Sequence, residues 1–138
     1  MKEVSNNTAI RVLVVDDHSI VRRGICALLA AEPEFEVVGE AATGTEALLN
    51  VKELHPNVVV LDVSLPDKDG LEVTREMLKI VPTPEVLLVS EHGEVIMEAG
   101  LRAGARGYLL KSDAVRELAT AVRTVNSKQK YVSHRFGH

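Results

Sequence analysis

The chain has 138 residues, about one domain's worth, a length that excludes a multi-domain enzyme. With 46% hydrophobic and 26% charged residues it sits among ordinary globular chains, outside the disordered class. Twenty acidic against sixteen basic residues give a net charge of -4, and two Tyr, two Phe and no Trp offer little stacking surface, which argues against a broad grip on nucleic acid.

A lone cysteine, Cys26, forbids an internal disulfide, and Met1 to Ile10 is polar where a signal peptide is apolar. No apolar stretch approaches the about 20 residues of a membrane span. The expected location is the cytoplasm, with no membrane partner.

Val12 to Val15 reads as the first strand, and Ile20, Val21, Gly24, Ile25, Leu28 and Leu29 then form one helical stripe ended by Pro33. Phe35 to Val38 is a second strand. Thr43-Gly44-Thr45-Glu46 has capping-box spacing and opens a helix through Leu48, Val51 and Leu54, closed before Pro56. After a third strand, Val58 to Leu61, a helix follows Gly70 through Leu71, Val73, Met77, Leu78 and Ile80, and Pro82 stops it. A fourth strand, Val86 to Val89, leads to a helix over Glu94 to Ala103. The fifth strand, Tyr108 to Leu110, precedes a helix marked by Val115, Leu118, Ala119, Val122 and Val125. Lys128 to His138 lacks a sustained period and is expected to be a linker start or a frayed end.

Three of the strand runs are continuous rather than alternating, as in a parallel sheet covered on both faces. Strict alternation of strand and helix implies βαβ crossovers and one α/β layered domain. Polar residues follow four of the five strands directly: Asp16 and Asp17, Asp62, Ser90 and Lys111. In an open parallel sheet ligands bind at the carboxyl ends of strands, so these residues are expected to converge. Each has a plainer reading taken singly: a helix cap for Asp16 or Asp17, a turn for Ser90, a solvated side chain for Lys111. Three gathered carboxylates repel unless their pKa values rise or a cation joins them. An all-oxygen set suits Mg2+. With three Asp, one Mg2+ and Lys111 the site is neutral and can receive a phosphoryl group, with Asp62 as nucleophile.

The motifs Val14-Val15-Asp16-Asp17-His18, Val60-Leu61-Asp62-Val63-Ser64-Leu65-Pro66-Asp67-Lys68-Asp69-Gly70, Leu88-Val89-Ser90 and Gly104-Ala105-Arg106-Gly107-Tyr108-Leu109-Leu110-Lys111 resemble, in content and order, a response-regulator receiver domain. The resemblance covers about residues 9 to 127. Asp17-His18 and Gly107-Tyr108-Leu109-Leu110-Lys111-Ser112 look most like the NarL/FixJ subfamily. It implies a flavodoxin-like (CheY-like), doubly wound, five-stranded parallel sheet of order 2-1-3-4-5 with five helices, preceded by a disordered segment at 1–8.

The resemblance further implies that Asp62 accepts a phosphoryl group from a sensor histidine kinase. Asp17 would bind Mg2+ directly, Asp16 largely through water, and Ser64 through its backbone carbonyl. Lys111 and Ser90 would contact the phosphoryl oxygens, and Tyr108 would move with Ser90 as the switch. Pro66 and Gly70 would shape the loop after Asp62. Self-association is expected through exposed faces of the fourth and fifth helices, or of the first with the fifth. Lys130-Tyr131-Val132-Ser133 resembles the passage toward a helix-turn-helix domain, so DNA binding is expected to belong to a part outside these 138 residues.

Many receivers have Pro after the lysine, where this chain has Ser112. A trans Lys111–Ser112 bond is expected, with Ser112 capping the last helix. His134 and His138 are read as tail residues rather than a zinc site, Cys26 as a small buried residue, and Asp67 and Asp69 as loop residues favoured by turn geometry. Three rivals differ in class. A haloacid-dehalogenase-type phosphohydrolase would want a second Asp where Ser64 stands, and a nucleotide-binding module would want a Gly-rich fingerprint after the first strand. A receiver-like domain that is never phosphorylated would not need Asp16, Asp17, Asp62, Ser90 and Lys111 together.

Overall fold

The computed structural model describes residues 9–136, so the expectations for residues 1–8 and for His138 lie outside the described residues. Six strands and five helices alternate: β1 (Ile10–Val15), α1 (Ser19–Ala30), β2 (Phe35–Ala41), α2 (Gly44–Leu54), β3 (Val58–Asp62), α3 (Gly70–Met77), β4 (Glu85–Ser90), α4 (Glu94–Ala103), β5 (Gly107–Leu110), α5 (Ala114–Asn126) and β6 (Tyr131–Val132). A single 3-10 turn, Lys111–Asp113, joins β5 to α5. All pairings within the sheet are parallel, in the order β2-β1-β3-β4-β5-β6.

The strand runs are apolar without a break because both faces of the sheet are covered. Leu13, Val15, Val59, Leu61 and Leu88 point to one face, under Ala47, Val51, Val73, Met77 and Met97 of α2, α3 and α4. Val12, Val14, Val58, Val60, Leu87 and Val89 point to the other, under Ile25, Leu29, Leu118, Val122 and Val125 of α1 and α5. The period of two is intact, and each parity finds its own helical layer.

The expected helix signals operate. Thr43 Oγ1 accepts the Glu46 N–H at 3.1 Å, while Glu46 Oε1 accepts the Ala42 N–H at 2.8 Å, so the box closes one residue upstream of its usual partner. Asp69 caps α3 by accepting the Leu71 N–H. The sequence stripes overreach in places. Ile20 and Val115, placed on apolar stripes, are 82% and 79% exposed, because each sits in the first turn of its helix beyond the edge of the sheet's cover. The third helix ends at Met77 rather than near Ile80. β2 runs on to Ala41, with a register shift that pairs Leu13 with Gly39.

The expected five-stranded sheet has a sixth strand, and the expectation of a frayed end fails for residues 131–136. Tyr131 and Val132 pair in parallel with Gly107 and Tyr108, and Ser133 is fully buried. Two residues are too few for periodicity to reveal; the open edge of β5 recruits them by backbone pairing. The Lys111–Ser112 bond is trans as expected, the one cis bond among the described residues being Val81–Pro82. Ser112, however, is exposed inside the 3-10 turn, and it is Asp113 that precedes α5, without a side-chain cap.

Candidate functional site

β1 and β3 are adjacent, yet β2 lies on the far side of β1, so the chain reverses its winding between them. Ligands bind at this junction in open α/β sheets. Asp16 follows the last residue of β1, Asp62 ends β3, Ser90 ends β4 and Lys111 follows β5. The parallel register places Asp62 beside Val89 and Ser90 beside Leu110. Four strand ends thus deliver four polar side chains to one rim.

Asp16, Asp62 and Ser90 are buried, while Asp17 stays partly solvated with 31% of its side chain exposed. The Lys111 ammonium lies 3.3 Å from Asp16 Oδ2 and 3.4 Å from Asp62 Oδ1, so the solvated reading of Lys111 fails. Ser64 donates its N–H to Asp62 Oδ1 at 3.2 Å. Asp62 Oδ2 is buried with neither a hydrogen bond nor an ion-pair partner, and Asp16 Oδ2 has only the Lys111 ammonium beside it. A buried carboxylate oxygen without a donor is costly. The pair is poised for something that supplies positive charge.

The pKa directions agree. Burial and the neighbouring Asp16 charge push Asp62 above the ordinary carboxylate value, with Lys111 opposing. Burial alone would lower the Lys111 ammonium, but the Asp62 and Asp16 carboxylates outweigh it and hold its pKa above the ordinary lysine value.

A small cleft of about 60 Å³ opens on the acceptor side, lined by His18, Asp62, Ser64, Glu91, His92 and Lys111. Ser90 sits next to this wall and accepts the His92 N–H at 3.0 Å. Tyr108 does not line the cleft; it is fully buried and donates its hydroxyl to the His92 carbonyl at 2.7 Å. Site and switch candidates are therefore joined through one loop, Glu91 to Gly93.

Three participants escaped the sequence reading. The His18 Nδ1 stands 3.2 Å from both Asp16 Oδ1 and Asp17 Oδ1, and its ring nitrogen, with oxygens of Asp16, Asp17 and Asp62, lies in a cluster whose members are all within 4.8 Å of one another. Its adjacency to Asp17 was the available signal. Asp67, read as a plain turn residue, reaches across to α2 and accepts from Gly44 N, Thr45 N and Thr45 Oγ1 at 2.8, 3.0 and 2.7 Å. Those donors, the Gly44 N–H foremost, lower its pKa to about 2. It ties the loop after β3 to the start of α2. Gly70, at the end of that loop, admits no side chain, since a Cβ there would lie 2.6 Å from Val63 Cα. Asp113 is the third, buried with two arginines.

Cys26 is half-buried in α1, and burial raises its thiol to about 11, away from the range of an activated thiolate. His134 is exposed and only its backbone N–H is engaged, by Glu117. Among the described residues no helix is long and apolar enough to cross a membrane.

A doubly wound sheet with an acidic cluster, a lysine and a hydroxyl at its switch point is the arrangement of a receiver-type signalling domain. The family profile of the response regulator receiver domain matches residues 12–123, and the chain belongs to that family. The response regulator GacA of Pseudomonas protegens is 45% identical over 125 residues, covering 90% of this chain and 59% of that protein. The DNA-binding transcriptional activator DevR/DosR of Mycobacterium tuberculosis is 41% identical over 128 residues, covering 91% and 58%. Among solved structures, a two-component response regulator of the LuxR family from Aurantimonas matches at 33% identity and a TM-score of 0.87, covering 92% of this chain and 91% of that one. The receiver domain of NarL from M. tuberculosis matches at 35% identity and 0.73, covering 83% and 97%.

More particularly, this is a NarL/FixJ-type receiver, a signalling domain of two-component systems whose relatives are transcriptional regulators. The chain spans just under three fifths of the length of the curated relatives named above.

Proposed function

We propose that Asp62 is the phosphoryl acceptor of this receiver. The observation that carries the reading is the Asp62 Oδ2 atom, buried without a partner at the end of the central strand, beside a cleft and within reach of a lysine. In the transfer, an Asp62 oxygen forms a bond to phosphorus as the bond to the donor nitrogen of a histidine kinase breaks, and that nitrogen keeps the electron pair. Lys111 meets the incoming charge as a mobile ammonium, and the Ser90 hydroxyl donates its proton to a phosphoryl oxygen. Tyr108 follows the Ser90 loop through the His92 carbonyl.

The oxygen-rich set fits Mg2+. Asp16, Asp17 and Asp62 would hold it with the Ser64 carbonyl, the strongest support being two buried carboxylate oxygens without a hydrogen bond, of which Asp62 Oδ2 also lacks an ion-pair partner. When bound, the ion neutralises charge between carboxylates and phosphoryl oxygens. Phosphorylation of Asp62 and hydrolysis of the resulting acyl phosphate are then the reactions of the domain.

Residues 9–127 would form the receiver in the cytoplasm, and the segment from 128 onward would begin the connection to an output. By analogy with the DNA-binding transcriptional activator DevR/DosR, that output is transcription; we assign it to a C-terminal helix-turn-helix domain, with dimerisation of the receiver through exposed helix faces. Exposed Val95 on α4 and Val115 on α5 support such a surface.

The test is to incubate the protein with Mg2+ and acetyl phosphate and weigh it. A single phosphoryl increment that disappears in Asp62→Asn is expected. No increment, or one that survives the substitution, overturns the assignment, and many turnovers per protein would favour a phosphohydrolase instead.

A further inference from the structure

The segment Tyr131–Phe136 is built onto the switch more closely than a connecting segment needs to be. Ser133 donates its N–H to the Tyr108 carbonyl at 2.9 Å, and its hydroxyl oxygen accepts the Leu110 N–H at 2.7 Å. The Phe136 ring packs on Tyr108, centroids 6.4 Å apart. Gly107 makes room, because a Cβ there would lie 3.0 Å from the Tyr131 carbonyl oxygen. Arg135 then grips the buried Asp113 carboxylate at two points, 2.7 and 3.2 Å, with Arg116 adding a third contact at 3.0 Å. Such forked pairs fix geometry as well as charge.

Two short paths connect this strap to the phosphoryl site. Along one, Ser90 accepts the His92 N–H, the His92 carbonyl accepts the Tyr108 hydroxyl, and the Tyr108 carbonyl accepts the Ser133 N–H. Along the other, the single 3-10 turn Lys111–Asp113 has the site lysine at one end and the strap's anchor at the other. We propose that the strap Tyr131–Phe136 is an energetic partner of the acceptor site, with Asp113, Ser133 and Arg135 as positioning residues that hold Tyr108 and Lys111 for the anion, so that an anion at Asp62 tightens the strap.

The direction follows from hydrogen-bond chemistry. A serine hydroxyl has one proton to give and two lone pairs. Once its proton is given to an anion, Ser90 becomes a better acceptor for the His92 N–H. The loop that holds the Tyr108 hydroxyl is thereby stiffened in the geometry already present, the geometry to which the strap is fitted. Lys111, drawn to the same anion, pins the other path. Coupling of this kind is reciprocal for binding, so loosening the strap weakens anion binding by the same factor.

The inference rests on Asp62 as the acceptor, and the experiment separates the two. The whole chain is titrated with Mg2+ and beryllofluoride, the phosphomimetic used with the receiver of RcsB. Binding is followed by fluorine NMR and amide exchange by proton–nitrogen NMR. Exchange of the Ser133 and Leu110 amides is expected to slow about 5- to 10-fold on binding, the lower end of the range typical of coupled sites. Arg135→Gln, at an exposed position, and Ser133→Ala are each expected to weaken beryllofluoride binding by a similar factor while circular dichroism stays unchanged. Arg135→Lys, which keeps the charge and loses the fork, should fall between. Binding with unaltered or faster Ser133 exchange, or variants that bind as tightly as the natural chain, would overturn the strap proposal and leave the acceptor standing. Absence of binding that depends on Asp62 would remove both.

Discussion

Replacing Asp62 by Asn removes one of three crowded carboxylates while keeping its shape. Oxygens of Asp16, Asp17 and Asp62 lie within 4.8 Å of one another. At an effective dielectric near 20, each neighbouring charge at that range repels ionised Asp62 by about 3–4 kcal/mol. Lys111, 3.4 Å from Asp62 Oδ1, offsets about 5 kcal/mol on the same scale. Asp17 is partly solvated, so its share is screened. What remains, with the loss of solvation on burial, is a penalty of about 1–3 kcal/mol on the ionised acceptor. Asp62→Asn is therefore expected to stabilise the metal-free chain by about that amount, raising Tm by roughly 3–10 °C.

The assay is thermal and urea unfolding in a chelator at neutral pH, repeated down to pH 4. The folded pKa of Asp62 is raised above its unfolded value of 3.8, so the native state binds the extra proton between the two. The natural chain's deficit is full above the folded pKa and disappears as pH falls below the unfolded one. Added Mg2+ should close the gap from the other direction, stabilising the natural chain more than the variant. A variant no more stable than the natural chain, or a gap that does not narrow on acidification, would refute the crowding argument.

Gly70→Ala would drive a methyl carbon to 2.6 Å from Val63 Cα and 2.7 Å from its carbonyl oxygen, atoms of the loop after Asp62. A loss of about 2–3 kcal/mol is expected, and an unshifted urea midpoint would contradict it. The Asp67 carboxyl should titrate by carbon NMR at about 2 and move up toward 3.8 in Thr45→Ala. Because that pKa is depressed, the stability Asp67 contributes is present above its unfolded value of 3.8 and is lost as pH falls toward 2. A titration near 4 in the natural chain would show that the tie to α2 does not form in solution.

Much of the fold was legible because its signals are local. Continuous Val and Leu runs, caps such as Thr43 and stops such as Pro33 and Pro56 act within a few residues of themselves. The acidic pair after β1, Asp62, Ser90 and Lys111 were legible for a different reason: each follows its strand immediately, and parallel winding sends all strand ends to one rim. Stripe edges were less legible. Ile20 and Val115 obey the helical period, yet how far the sheet extends beneath a helix's first turn is not written in that helix.

By itself, then, the sequence determined the order and type of the first five strands and the five helices, the acidic rim and the family. Tertiary structure alone decided that Asp67 holds Thr45 22 residues away, that Asp113 meets Arg135, again 22 apart, and that Tyr131–Val132 completes the sheet. These contacts join groups distant along the chain, and no periodicity encodes them. They arise because folded strands leave an open edge with donors to satisfy, and because a buried carboxylate must find its cation wherever the packing brings one.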